Sequence, residues 1–177
     1  MCQLPEAFDA PREHPPDHFH YIGRFQDPSG TESISFGNTV FPFERLNGQL
    51  VISPGNPKAP LIELSQVVVT HAGMNTELTA LGCGVTPVAI SITNEQPGIA
   101  SRLARTKAGK MLKLSELSET TLRTAITEVL SESSYRNNAQ KMQKIIQESG
   151  GVVQVADIIE TAAQTRQPVM GRSANRQ

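Results

Sequence analysis

The chain has 177 residues, 38% of them apolar and 5% aromatic with no Trp, which is enough for one domain with a core of its own. Lys and Arg number 16 against 17 Asp and Glu, for a net charge of −1, so no basic stripe argues for nucleic acid and no acidic tail for a basic partner. Cys2 and Cys83 have neither metal-ligand spacing nor a disulfide framework, the amino end around Pro5, Glu6 and Asp9 is no signal peptide, and no apolar run approaches membrane-spanning length. The expectation is a reduced, cytoplasmic protein.

Residues 1–48 read as an irregular lead. Pro5, Pro11, Pro15, Pro16, Pro28 and Pro42 interrupt any helix, and His18-Phe19-His20-Tyr21-Ile22 is the one strand-like segment before Gly23. His14, His18 and His20 have no Cys beside them to make a metal site, and they read as a partly exposed loop. Such a proline-punctuated stretch predicts a linker rather than core. Leu50-Val51-Ile52-Ser53 is a short apolar run that could form a buried strand, followed by a Pro- and Gly-rich break up to Leu61-Ile62-Glu63-Leu64. Little more than one helical turn fits between that run and the next strand, short for a parallel crossover.

Val67-Val68-Val69-Thr70 reads as a buried strand, and His71-Ala72-Gly73-Met74-Asn75-Thr76 as the turn that follows it. Glu77, Leu78, Ala80 and Leu81 then start a helix that Gly82 and Gly84 stop, with Asn75 or Thr76 as N-cap. A strand that turns into a helix this way aims free N–H groups and the positive end of the helix dipole above the sheet, where a phosphate can bind. His71 could add a donor and Gly73 lets a ligand approach the backbone. A strand, turn and capped helix with no ligand is the plain alternative. Val88-Ala89-Ile90-Ser91-Ile92 predicts the next strand and Thr93-Asn94-Glu95-Gln96-Pro97-Gly98 its polar end, with Pro97 in the first turn of a helix whose apolar face is Ile99, Leu103 and Ala104. Gly109 closes that helix and Lys110-Met111-Leu112 follows as an outer strand. This order predicts an α/β fold, a Rossmann-like parallel sheet flanked by helices, with ligands at the carboxyl ends of its strands.

The last third reads as helical. Leu122, Ala125, Ile126, Val129 and Leu130 follow the three-and-four spacing behind a Ser118 cap, and Tyr135, Ala139, Met142 and Ile146 repeat it up to Gly150-Gly151. Val152, Val155, Ala156, Ile159 and Ala163 mark a final helix, and all three stripes read as core. The binding domain is expected over residues 49–166, with 167–177 a polar, frayed tail.

The run His71-Ala72-Gly73-Met74-Asn75-Thr76, then Gly84-Val85 and Asn94-Glu95-Gln96-Pro97, resembles the donor-binding half of the family 1 UDP-glycosyltransferases, the bacterial macrolide- and zeaxanthin-type enzymes above all. Tyr21-Ile22-Gly23 resembles the link from their acceptor domain. The resemblance implies the carboxyl-terminal domain of a GT-B fold and an enzyme that transfers a hexose from a UDP-sugar to a small-molecule hydroxyl, with inversion and without a cofactor or metal. It also implies roles for named residues. His71 would contact the diphosphate, Gly73, Asn75 and Thr76 would cradle it, and Glu95 and Gln96 would hold sugar hydroxyls.

The departures carry as much information. The family's ribose-binding Glu is matched by Thr79, while Glu77 lies two residues early on another helix face. Gly-Val-Pro becomes Gly84-Val85-Thr86, a further Pro becomes Ser91, and Leu61 stands where a Gln lies near the base. Between Gln49 and Val67 the chain looks shortened by several dozen residues, and the acceptor domain with its catalytic His has no counterpart. No residue here is therefore assigned as the catalytic base, and a separate acceptor-binding domain or chain is the expected partner. A non-catalytic nucleotide-sugar-binding module, or a decayed remnant, is the alternative. Leu50-Val51-Ile52 on an unpaired edge would favour self-association.

Overall fold

The computed structural model describes residues 5–9, 16–21, 35–36, 39–40 and 59–171. A small antiparallel pair, β1 (Ser35–Phe36) and β2 (Thr39–Val40), precedes the main body, and the expected Leu50–Ser53 strand lies outside the described residues. The main body is a three-stranded parallel sheet in the order β3-β4-β5. β3 (Val67–Thr70) pairs with β4 (Thr86–Ser91) from Val67↔Thr86 to Thr70↔Ala89, and β4 pairs with β5 (Lys110–Lys113) from Val88↔Lys110 to Ser91↔Lys113. Each connection is a helix: α2 (Met74–Gly82) between β3 and β4, and α3 (Gln96–Thr106) between β4 and β5. The α/β reading of the sequence therefore holds, with β4 starting two residues earlier than its apolar run suggests.

The alternation of β4 sorts the core into layers. Ala89 joins Leu78 and Leu81 of α2 and Ile99, Ala100 and Leu103 of α3 in one buried cluster, and Ala139 and Met142 of α5 (Ser133–Glu148) complete it. Val88 joins Leu112, Ala125 and Val129 in a second cluster, which packs α4 (Glu119–Ser131) on the opposite face with Ile90 against it. A short helix, α1 (Ala59–Glu63), lays Ile62 on Ala80 and Val85.

Helix ends follow their local chemistry. Ser118 caps α4 through a reciprocal box in which its hydroxyl accepts from the Thr121 N–H at 3.1 Å and the Thr121 hydroxyl accepts from the Ser118 N–H at 2.9 Å. Gly84, at φ 70, makes the left-handed turn out of α2. α3 ends in a left-handed Lys107, two residues before the expected Gly109. Gly109 has a different function: a β-carbon there would lie 2.5 Å from the Pro87 carbonyl and 2.8 Å from the Leu103 side chain, so it lets β5 run close against β4 and α3.

Three sequence readings change. α6 (Gly151–Thr165) forms where expected, but no residue of it is buried, and Val152 and Ile159 are 46% and 53% exposed. Its apolar spacing reports a face able to pack; the sheet is already covered by the other helices. The lead contributes to the core: Phe8 is wholly buried in the cluster with α3 and α5. Arg105 donates to the carbonyls of Phe8 and Asp9, and the Arg102 Nε lies 3.2 Å from the Asp9 carboxylate. The tail is held rather than frayed as far as Gly171, whose N–H donates to the Asp17 carbonyl at 2.7 Å, while His20 Nε2 lies 2.7 Å from the Val169 carbonyl. His20 is thus a buried structural histidine, and among the described residues no His, Cys, Asp and Glu group could hold a metal ion. Among those residues, no helix is long and apolar enough to cross a membrane.

Candidate functional site

The carboxyl ends of β3 and β4 lie side by side, and each runs into a polar turn that opens a helix. Parallel pairing puts both turns on one edge of the sheet, about 4.8 Å apart at the strand level. His71, Gly73, Asn75 and Thr76 follow β3; Glu95 and Gln96 follow β4. The topology therefore brings all six of these predicted residues to one edge.

The N-terminus of α2 is open. Its N-cap is Gly73, with extended φ −67 and ψ 132, instead of the expected Asn75 or Thr76, and no side chain caps it. The first helical bond runs from the Glu77 N–H to the Gly73 carbonyl at 3.0 Å, so the N–H groups of Met74, Asn75 and Thr76 precede the ladder. Three donors and the dipole end make this turn attractive to an anion. Gly73 also makes room for His71: a β-carbon at 73 would sit 2.9 Å from the His71 Nε2. The exposed imidazole thus lies against the opening turn of α2, where it can add a donor. Asn75 is exposed beside it, while Thr76 is buried, so Thr76 can offer its backbone more readily than its hydroxyl.

At the β4 turn, the Gln96 Oε1 accepts from the N–H groups of Ile92 and Thr93 at 2.9 and 3.1 Å. That leaves the Gln96 amide N–H groups as the part able to reach a hydroxyl. Glu95, exposed, is the N-cap residue of α3 with its carboxylate unused in capping. Thr79 sits one turn behind Asn75, buried, its hydroxyl donating to the Asn75 carbonyl at 2.6 Å.

Two features here escaped the sequence. Ala72 has φ 65 and Asn94 has φ 55, both in the left-handed region. The other two non-glycine residues with positive φ among the described residues, Lys107 and Arg166, end helices, where this conformation is common. Ala72 and Asn94 instead sit in the two strand-end turns of the candidate site, and backbone strain of this kind clusters at ligand sites. Asn in a polar turn hints at the conformation; Ala gives no such signal. A cavity of about 590 Å³ opens at the other end of the sheet, lined by Gln66, Cys83, Thr86, Arg136 and Gln143 among others. It lies at the amino ends of β3 and β4, whereas open parallel sheets take their ligands at the carboxyl ends, so we place the candidate site at the turns.

Sheet, flanking helices and paired turns define an α/β binding domain of Rossmann-like type. The chain belongs to the family described as "Erythromycin biosynthesis protein CIII-like, C-terminal domain", which matches residues 54–161. It is 28% identical over 148 residues to NDP-glycosyltransferase YjiC of Bacillus licheniformis, a match that covers 82% of this chain and 37% of that relative. It is 32% identical over 109 residues to zeaxanthin glucosyltransferase of Pantoea ananas, covering 62% of this chain and 25% of the other. Among solved structures, the calicheamicin glycosyltransferase CalG4 matches with a TM-score of 0.70 at 20% identity, over 94% of this chain and 54% of that one. That likeness carries the GT-B domain fold. The chain spans well under half the length of these curated relatives.

Proposed function

We propose that this chain is the donor-binding half of a nucleotide-sugar-dependent glycosyltransferase, which transfers a hexose to a small-molecule hydroxyl when an acceptor domain completes it. The observation that carries the reading is the uncapped N-terminus of α2 with the His71 ring against it, next to the Glu95-Gln96 turn on the same sheet edge. The diphosphate of the donor, a UDP-sugar by resemblance, takes the first turn, bound by the backbone of Gly73, Asn75 and Thr76 and by His71. The sugar faces Glu95 and the Gln96 amide. In an inverting displacement, charge builds on the departing diphosphate, and preorganised N–H donors aimed at it lower the barrier. By the same resemblance, the base that deprotonates the acceptor belongs to the acceptor domain.

Calorimetry with UDP on the wild type and on His71→Ala tests the reading. Hydrogen bonds to charged groups contribute roughly 1.5–3 kcal/mol, so loss of the imidazole should weaken binding by about tenfold or more. Equal affinity in the two proteins removes His71 from the site.

A further inference from the structure

The cavity at the amino end of the sheet is a built feature that the donor reading leaves unused. Thr86 lines it, at the position where the resemblance expects a proline. Alternation along β4 puts Thr86 on the same face as Val88, which packs in one cluster with Val129, and Val129 lines the cavity as well. Thr86 is only 3% exposed, and among the described residues its hydroxyl has no hydrogen-bond partner. Burying a hydroxyl without a partner is costly, so this one is satisfied when something in the cavity bonds to it. Gly84 admits a second such group. A β-carbon there would lie 2.8 Å from the Gln143 Oε1, so its absence lets that carboxamide rest against the turn out of α2, on the cavity wall. The Gln143 carboxamide, too, makes no hydrogen bond among the described residues.

The rest of the lining sorts ligands by chemistry. Gln66 and Gln140 add two more carboxamides, each able to donate and to accept. Arg136 has no ion pair among the described residues, and the carboxylates of Glu63 and Glu132 share the cavity with it. That balance gives an anion no advantage. No aromatic ring is among the described lining residues, so a nucleobase finds no platform to stack on. A molecule carrying many hydroxyls can accept from the guanidinium, donate to the carboxylates and do both with the carboxamides. Val85 and Leu130 supply apolar surface for the C–H groups of its ring. The volume of about 590 Å³ falls within the ordinary range of small-molecule sites.

We propose that this cavity is a second binding site, for a neutral saccharide, separate from the donor turns. β4 is six residues long, which puts its two ends about 20 Å apart. A sugar bound here is therefore held in place and is not the one transferred. The inference does not depend on the donor reading.

Titration of the wild-type chain with glucose and with maltose, followed by the chemical shifts of its backbone amides, tests it. The expected result is saturable shifts at Gln66, Gly84 and Thr86 that persist in excess UDP. Thr86→Val keeps the branched shape and removes the hydroxyl; it should weaken saccharide binding by about three- to tenfold and leave UDP affinity as it is. His71→Ala should do the reverse. If Thr86→Val fails to fold, the shift map of the wild type decides alone. No saturable shift with either sugar up to about 50 mM overturns the proposal, and so do shifts confined to Glu95 and Gln96. Shifts at the cavity in a chain that binds no UDP support this site and overturn the donor reading.

Discussion

A fully buried carboxyl group with no hydrogen bond favours its neutral form, and Glu77 is in that position. Burial pushes it from the ordinary 4.5 up to about 8. Between those values the unfolded chain has released the proton and the folded one keeps it, so stability is fully present below pH 4.5 and is lost as pH rises toward 8. The slope approaches about 1.4 kcal/mol per pH unit. Glu128 does not confuse the measurement: hydrogen bonds from Lys110 and Tyr135 hold its carboxyl below the usual range, so it stays ionised throughout, and its contribution is lost only in more acid solution. Tyr135, pushed up to about 12 chiefly by that bond, is also silent there. Urea unfolding at pH 5.5 and 7.5 should show the fall in the wild type and little of it in Glu77→Gln; equal slopes would mean that Glu77 is not the titrating group. At this scale the sequence was only partly legible. It placed Glu77 on a different helix face from Thr79, but the spacing could not reveal that Glu77 is fully buried there. Nor could it reveal the left-handed Ala72, because a backbone dihedral set by the exit angle of a strand leaves no mark on an alanine side chain.

Elements were read best where their signals are local. The three β-branched residues of β3, the Pro97 entry to α3 and the Ser118 box of α4 each act over a few residues, and each element formed within a turn of its expected bounds. Gly109 was misread as a helix stop because its role depends on a strand twenty-odd residues away. Gly109→Ala should destabilise the protein by about 1–3 kcal/mol, the usual range for forcing atoms into a packed interior, since the Pro87 carbonyl belongs to β4 and cannot turn aside as a side chain would. Thermal melts of the variant check this, and an unchanged melting temperature would mean that β5 has room to retreat. α6 shows the opposite limit. Periodicity reported that Val152, Val155 and Ile159 share a face, and nothing in the spacing says what that face meets.

On the scale of the whole molecule, strand–helix alternation was enough to predict a parallel sheet and the edge where its turns converge. The part played by the lead was not legible, because prolines between Pro5 and Pro16 argued for a linker while one aromatic side chain, Phe8, is buried in the main core cluster. The meeting of lead and tail has a kinetic consequence. His20 and Val169 are 149 residues apart in sequence, so their contact closes nearly the longest loop this chain can form, and ordering so large a loop is entropically favourable only once the intervening structure is in place. The seam between Asp17–His20 and Val169–Gly171 should then be last to close in folding and first to open in the native state. In native-state hydrogen exchange, the Gly171 amide, although bonded to Asp17, should exchange through a local opening far below the global free energy, while the amides of Val88, Ala89 and Ile90 exchange only with the whole fold. If Gly171 were protected as strongly as β4, the seam would be part of the cooperative core, and the two ends of the described chain would come apart only when everything else does.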